Sequence, residues 1–281
     1  MRIFVTGATG YIGSAVVQEL IQAGHKVIGL TRSEEGAKKL ENVGAEALKG
    51  TLEDTEYLCK GASMAEGVIH MAFRHDFSDF AGSLAIDLNV INAIGETLVD
   101  TGKPFMTTAH ANGDASDKAT LALAERGVRS AVISLAPSVH SDADRHGFIP
   151  QLISIARSKG ISAYVEDGAN RWPAIHRLDA AKLFRLAIEK APAGSYFTGR
   201  GEAGIPFREI ASTIGKHLNV PVVSISREEA NAHFGFLGAL AALDIPSVKP
   251  GNSPQTKEIL GWNPVHPGLI ADLEQGHYFN K

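Results

Sequence analysis

Hydrophobic and polar positions alternate in blocks along the first half of the chain. Short apolar runs typical of buried strands lie at residues 3–5, 25–30, 67–72, 104–108 and 129–135, and a shorter strand is predicted at 46–48. Helical spacing follows the first run at Ile12, Val16 and Leu20, and further helices are predicted at 34–42, 82–101 and 116–126. This alternation of strands and helices predicts an α/β fold with a doubly wound parallel sheet.

Beyond Pro137 the pattern changes to shorter, mixed elements, with helices predicted at 147–158, 178–190 and 206–218. The segment 234–243 is unusually apolar, so it either packs in a core or walls an apolar substrate pocket. We expect a single domain over residues 1–281, in which about 160–175 and 195–281 form a small C-terminal mixed α/β substrate lobe.

Three glycines stand between the first strand and the first helix, at Gly7, Gly10 and Gly13. Glycines at such a turn permit a tight bend, close approach of a pyrophosphate to the backbone, and close packing of helix against strand. The helix N-terminus then directs its free N–H groups at the phosphate. A turn that binds nothing does not need three spaced glycines, and no Gly-Lys-Ser/Thr follows to make a nucleotide-triphosphate loop. The pattern predicts dinucleotide binding.

The glycine spacing, in the sequence TGATGYIG at residues 6–13, resembles the short-chain dehydrogenase/reductase superfamily in its extended and atypical branches. The run GVIHMA at 67–72 is similar to the family's fourth strand, which lies along the cofactor. His176 and Asp179 stand as in the family's "His-x-x-Asp" passage, and residues 257–264 are similar to its "Lys…Leu-Gly-Trp-x-Pro" close. The resemblance covers the whole chain and implies a Rossmann-type NAD(P)-binding domain.

The residues after the second predicted strand bear on the choice of cofactor. An acidic side chain there binds the ribose of NAD and repels a 2′-phosphate, whereas this chain has Thr31, Arg32 and Ser33, which suit a phosphate dianion. The alternative is a solvated Arg32, with Glu34 or Glu35 in the acidic role. We expect NADP(H) rather than NAD(H). The cofactor-binding residues predicted from the turn and the resemblance are Gly7, Thr9, Gly10, Tyr11, Ile12, Gly13, Thr31, Arg32, Ser33, Met71, Ala72, Phe73, Thr107 and Pro137.

The superfamily's proton-transfer residues are a Ser/Thr after the fifth strand and a Tyr-x-x-x-Lys on the following helix. None of the chain's 5 tyrosines has a lysine four positions later. Thr108 remains to orient a carbonyl, and His140, after the sixth strand, is the predicted proton donor, with His110 and Lys118 as weaker candidates. A packing role for His140 is the alternative.

Composition and charge limit the kinds of partner that this protein is expected to bind. The net charge of −4 and the lack of a basic cluster give no indication of nucleic-acid binding, and no apolar run is long enough for a membrane span. One cysteine, Cys59, and a core strand that starts beside Met1 are typical of the cytoplasm. Residues 140–146 contain several His and Asp residues, which we interpret as a solvated loop and not a metal site. The resemblance implies a homodimer through the helix at 82–101 and the helix near Ser116.

These features favour an atypical NADP-dependent reductase that acts on a small carbonyl or an activated alkene. The missing tyrosine–lysine pair favours an alternative from another class, a non-catalytic NADP-binding protein that senses redox state or binds a partner. A sugar-nucleotide epimerase or dehydratase comes third, because those reactions also need the missing pair.

Overall fold

The computed structural model describes residues 1–245 and 252–280; positions 246–251 and 281 of the predicted substrate lobe lie outside the described residues. The strands are β1 (Arg2–Thr6), β2 (Lys26–Thr31), β3 (Glu46–Lys49), β4 (Gly67–His70), β5 (Pro104–Thr108), β6 (Arg129–Leu135), β7 (Ser138–His140), β8 (Ser162–Val165), β9 (Arg171–His176), β10 (Ser195–Gly199), β11 (Glu202–Pro206) and β12 (Val222–Ile225). The helices are α1 (Tyr11–Gln22), α2 (Glu34–Asn42), α3 (Thr55–Met64), α4 (Phe80–Leu98), α5 (Asp114–Ala122), α6 (Phe148–Lys159), α7 (Arg177–Lys190), α8 (Phe207–Leu218), α9 (Ala230–Phe234), α10 (Gly238–Ala241), α11 (Asn252–Leu260) and α12 (Leu269–Glu274).

Seven strands form one parallel sheet in the order β10-β6-β5-β4-β1-β2-β3. β1 lies inside the sheet, where Phe4 is paired with Ile28 of β2 on one side and with Val68 of β4 on the other. The strand order reverses between β1 and β4, and ligands of such sheets bind beyond the carboxyl ends of the strands at this point. The predicted Rossmann-type fold is confirmed.

Local sequence explains the elements of this sheet. Ile3, Phe4 and Val5 are fully buried, as an apolar run in a central parallel strand must be. The predicted helix at 34–42 matches α2, whose N-terminus is capped by the Ser33 hydroxyl accepting the Gly36 N–H. The helix predicted at 116–126 begins two residues earlier, at Asp114, where two aspartates in the first turn favour an N-terminus, and it ends in a 3₁₀ turn.

The chain forms two compact units. The first comprises Met1–Leu135, Ala180–Gly199 and residues 252–263, and contains the parallel sheet. One of its cores packs Phe4 and Phe105 of the sheet against Leu58 of α3 and Leu98 of α4. Helices α3 and α4 therefore cover one face of the sheet.

The second unit comprises Ala136–Asp179 and residues 200–245 and 264–280. It holds a three-stranded sheet, β11-β9-β7, and the parallel pair β12-β8. Its core is built around Trp172 and Phe207, whose rings meet edge to face with centroids 4.9 Å apart. The apolar segment 234–243 contributes Phe234 and Leu237 to this core. The sequence indicates that the lobe begins at about residue 160, whereas this unit begins at Ala136. The interpretation of the whole chain as a single domain stays a prediction.

No helix in residues 1–245 or 252–280 is both long enough and apolar enough to cross a membrane.

Candidate cofactor and substrate cleft

The glycine turn between β1 and α1 leaves no room for a side chain at two of its positions. Gly7 has φ +70°, and a Cβ placed there would lie 2.8 Å from the Ala72 backbone nitrogen. A Cβ on Gly13 would lie 2.0 Å from the Gly7 carbonyl oxygen. That same oxygen accepts the Gly10 N–H at 3.0 Å, and Gly10 is the N-cap of α1. Only glycine fits at positions 7 and 13, and the N-terminus of α1 is thereby held at the carboxyl edge of the sheet.

An open cleft of about 450 Å³ lies at this edge. Its walls come from the glycine turn and from the residues that follow β2, β3 and β4, with Thr108 at the end of β5. Of the residues predicted to bind cofactor or substrate, the cleft is lined by Gly7, residues 9–13, Thr31, Arg32, residues 71–73 and Thr108. These positions are far apart in the sequence and are brought together by the order of the strands. The shape and the N–H-rich turn fit a dinucleotide.

Four of the residues predicted for cofactor binding or catalysis do not line this cleft, and neither do the two weaker candidates, His110 and Lys118. The Ser33 hydroxyl caps α2, and Thr107 is buried in β5, where its hydroxyl lies 3.1 Å from that of Thr120. Pro137 and His140 belong to the second unit. Their roles in binding or catalysis stay predictions.

The cleft also contains residues that the sequence patterns did not single out. Residues 50–53 follow β3, and Arg74 and His75 follow β4. The segment 50–53 could have been predicted from the sequence. Residues that follow the third parallel strand lie at the same edge of the sheet as those that follow β1 and β2. Arg74 and His75 follow the fourth strand and could have been placed by the same reasoning.

Arg32 is exposed and lines the cleft. The two acidic residues that follow it are each engaged by a lysine: Glu34 pairs with Lys49, and Glu35 pairs with Lys39 at 2.6 Å. The hydrogen bond and the charge of Lys39 hold the pKa of Glu35 below its usual value. Arg32 is thus the cationic group that this stretch presents to the cleft, which matters for the choice between the two nicotinamide cofactors.

A buried polar network lies behind the cleft at the end of β4. The Thr6 hydroxyl accepts the N–H groups of Met71 and Ala72, each at 3.2 Å, so its own hydrogen is directed at His70 Nδ1, 2.6 Å away. His70 Nδ1 is therefore an acceptor. The ring proton must be on Nε2, which donates to Asp87 Oδ1 at 3.1 Å. His70 is a neutral imidazole with both nitrogens occupied.

Asp87, on α4, is the centre of this network. Only 1% of the residue is exposed, and its Oδ2 accepts the Ser116 hydroxyl at 2.6 Å. Burial by itself would raise the pKa of Asp87, but the hydrogen bonds from His70 and Ser116 outweigh it, and the pKa lies below its usual value. Asp87 is thus an ionised carboxylate in the interior of the first unit.

His110 lies on the other side of this carboxylate. Its Nε2 is 3.7 Å from Asp87 Oδ1, and its ring stacks on Phe73 with centroids 4.0 Å apart. Burial lowers the pKa of His110 to about 4, although the charge of Asp87 acts in the opposite direction. The other weaker candidate, Lys118, is exposed on α5.

His140, the predicted proton donor, is fully buried in the second unit. Its Nδ1 lies 2.8 Å from Asp272 Oδ2, and its ring meets that of His176 edge to face at 5.4 Å. The interpretation of residues 140–146 as a solvated loop is wrong in part, since Ser141 and Asp144 are also buried. Both are held by hydrogen bonds with Tyr278, which approaches from the far end of the chain.

Asp179, from the His-x-x-Asp passage, contacts residues that follow directly on the 257–264 motif. This buried carboxylate accepts the backbone N–H groups of Val265 and His266, each at 3.0 Å. His176, Asp179 and His266 have potential metal-ligating atoms within 4.8 Å of one another. Because both oxygens of Asp179 already accept hydrogen bonds from backbone N–H groups, we assign this residue a structural role. The expectation that the protein holds no metal stays a prediction.

Comparisons with known proteins bear on the family and the fold. The NmrA-like family matches residues 1–100. The chain is 46% identical to an uncharacterized protein of Schizosaccharomyces pombe, over 99% of this chain and 100% of the relative. It is 27% identical to a 4-hydroxy-2-methyl-3-oxo-4-farnesyl-3,4-dihydroquinoline-1-oxide ketoreductase of Stigmatella aurantiaca, over 84% and 80% of the two chains. The solved structure of a dTDP-glucose 4,6-dehydratase from Streptomyces venezuelae, with NAD bound, has a TM-score of 0.75 at 15% identity and covers 99% of this chain and 97% of its own.

Proposed function

The chain belongs to the short-chain dehydrogenase/reductase superfamily, whose members depend on NAD(P), and from this premise we propose that it is an NADP-dependent reductase of a small carbonyl compound or activated alkene. The observation that carries the proposal is the cleft itself: a glycine turn and helix N-terminus at its centre, with Arg32 and the Thr108 hydroxyl among its lining residues. When bound, NADPH supplies a hydride.

The preference for NADP rests on the charges after β2. A 2′-phosphate bound in this part of the cleft gains a charge-assisted contact with Arg32, while the repulsion expected from Glu34 and Glu35 is reduced by their pairing with Lys49 and Lys39. A contact of this kind is worth about 1.5–3 kcal/mol, or roughly ten- to a hundredfold in affinity. NAD lacks the 2′-phosphate and cannot make that contact.

The proposed substrate site lies beside Thr108. Its hydroxyl has only a long contact, 3.4 Å, to the His70 carbonyl oxygen, so it can turn toward the cleft and donate to a substrate oxygen. Relatives with 24–27% identity include proteins named as reductases of ketones: the ketoreductase above, a 2-alkyl-3-oxoalkanoate reductase and a 2′-dehydrokanamycin reductase, alongside UDP-glucose 4-epimerases. These names favour a carbonyl substrate.

A second candidate is a non-catalytic NADP-binding regulatory protein. The specific observations for it are the match of residues 1–100 to the NmrA-like family and the absence of any Tyr-x-x-x-Lys in the sequence. An epimerase or dehydratase is a third candidate, which the same absence disfavours.

The cofactor is tested by titrating NADPH and NADH into the wild type, Arg32→Ala and Arg126→Ala. Arg126 is an exposed arginine paired with Glu96 and serves as the matched control. We expect NADPH to bind about tenfold or more tightly than NADH, and Arg32→Ala alone to remove the difference. Equal wild-type affinities would contradict the NADP assignment.

The activity is tested by following NADPH oxidation with a panel of aldehydes, ketones, imines and enones. The proposal expects turnover of at least one class and its loss in Gly13→Val, which fills the turn next to Gly7. NADPH binding without turnover of any compound would favour the regulatory candidate.

A further inference from the structure

We propose that His110, held beside the Asp87 carboxylate, is the catalytic residue that exchanges a proton with the substrate oxygen, in place of the tyrosine–lysine pair that the sequence lacks. The inference rests on the proposed function, because a carbonyl that receives a hydride must also receive a proton. It replaces His140 as the proton donor.

The position of His110 relative to the cleft is the first support. It follows Thr108 by two residues, at the carboxyl end of β5, and its ring stacks on Phe73. Phe73 and Thr108 both line the cleft. About 16% of the His110 side chain is exposed, so the ring is packed against its neighbours but still accessible to solvent. His110 is not itself a lining residue, but it lies beside Phe73 and follows Thr108 at the same strand end, so the proposal requires its ring to reach a substrate oxygen held by Thr108.

The charge of Asp87 is the second support. His70 is neutral and Ser116 is a hydroxyl, so the two groups that hydrogen-bond to this carboxylate leave its negative charge unbalanced. The nearest ionisable partner left is His110, with Nε2 at 3.7 Å from Oδ1. This separation suits an ion pair that tightens when His110 is protonated. Asp87 lies on the Nε2 side of the ring, where its charge favours an imidazolium, so in this proposal Nδ1 is the atom that exchanges the proton.

The proton and electrons balance as follows. In reduction, the hydride forms a new C–H bond at the carbonyl carbon, and the π electron pair of the C=O bond moves onto the oxygen. The proton on His110 Nδ1 passes to that oxygen, and the neutral imidazole later regains a proton from water. In the reverse direction, neutral His110 accepts the hydroxyl proton as the hydride leaves. Asp87 is a positioning residue in both directions.

The pH dependence follows from the surroundings of His110. The titratable groups that face it are Asp87 on α4, His70 at the end of β4, and His75 just beyond β4. Burial brings the pKa of His110 to about 4 against the opposing charge of Asp87. Above that pH the imidazole is mostly neutral. We therefore expect kcat/KM for reduction to fall about tenfold per pH unit between about pH 5 and 8, and kcat/KM for alcohol oxidation to stay level.

Other histidines fit the role less well. His140 is fully buried in the second unit and is held by Asp272. His70 has both ring nitrogens engaged, by Thr6 and by Asp87. His75 lines the cleft, but it follows β4 and not β5, the strand whose end holds Thr108.

The kinetic test compares the wild type with His110→Gln, Asp87→Asn, His140→Gln and a control, His25→Gln. His25 precedes β2 at the opposite edge of the sheet, where it pairs with Glu189. We expect His110→Gln to lose about 10²–10⁴-fold in kcat/KM and to flatten the pH profile, with NADPH affinity and Tm unchanged. Asp87→Asn keeps the shape of the side chain but removes its charge. It should therefore lower the pH above which kcat/KM for reduction begins to fall. His25→Gln should match the wild type.

Full activity in His110→Gln, or a loss confined to His140→Gln, overturns the inference while the reductase function stands. A wild type that binds NADPH but turns over no compound removes the proposed function, and the inference with it.

A second measurement needs no turnover. NMR titration of the cofactor-free protein should find the His110 pKa well below its usual value and lower still in Asp87→Asn, because the carboxylate charge that supports the imidazolium is gone. An identical His110 pKa in the two proteins shows that Asp87 and His110 are not coupled, and overturns the inference.

Discussion

Replacing Gly13 by alanine tests whether the glycine turn is needed for steric reasons. The added Cβ would lie 2.0 Å from the Gly7 carbonyl oxygen and 2.8 Å from its carbonyl carbon, well inside the 3.4 Å at which ordinary contacts begin. Both atoms are backbone, so no side chain can rotate away, and either α1 or the turn must move. The Gly10 N–H bond to the same oxygen is strained by that movement.

The size of the effect is a balance of two terms. Overpacking costs about 1–3 kcal/mol, and a rigid backbone contact belongs at the upper end or beyond. Alanine at a helical position recovers about 1 kcal/mol relative to glycine. The net loss is about 2 kcal/mol, which lowers Tm by about 4–8 °C in a chain of this size. Displacing the first N–H groups of α1 should also weaken NADPH binding by about tenfold or more.

The control is Gly24→Ala, just beyond the other end of α1. Gly24 has φ +84°, and no atom lies within 4 Å of the place that a Cβ would take, so alanine there adds backbone strain of about 1–2 kcal/mol and no clash. Thermal unfolding and NADPH calorimetry on the two variants separate the effects: both should be destabilised, but only Gly13→Ala should lose affinity. Wild-type stability and affinity in Gly13→Ala would refute the steric reasoning.

Three further predictions concern stability. Asp272→Ala leaves His140 Nδ1 buried without its hydrogen-bond partner and should cost about 1–3 kcal/mol, measured by urea unfolding; no measurable loss would mean that water replaces the carboxylate. Asp179→Asn removes one of the two oxygens that accept the Val265 and His266 N–H groups, and should lower the unfolding free energy by about 1–3 kcal/mol. The pKa of His110 and of His176 is lowered to about 4, mainly by burial, so below about pH 6.5 the unfolded chain binds protons that the folded chain does not. Stability should therefore fall as pH drops from about 6.5 toward 4, and the slope should be smaller in His110→Gln; equal slopes would contradict the assignment.

Much of the first unit could be predicted from the sequence. The bounds of α2, β5 and β6 match the predicted segments, because each is set by local signals: an apolar run of strand length for the two strands and a capping serine for the helix. The glycine triplet likewise identified the cleft, since a βα turn is a local structure whose ligand contacts come from its own backbone.

The partners of buried polar residues could not be predicted, and only the tertiary structure decided them. Thr6 and His70 are 64 positions apart, and His140 and Asp272 are 132 apart, so no periodicity relates them. Taken singly, Asp87 is an acidic residue expected at the surface of a helix; strand order and the packing of α4 and α5 bring His70, Ser116 and His110 to it and compensate for its burial. The hydropathy of a chain determines which faces are buried, whereas hydrogen bonding and charge determine which polar groups meet there, and these depend on the folded arrangement as a whole.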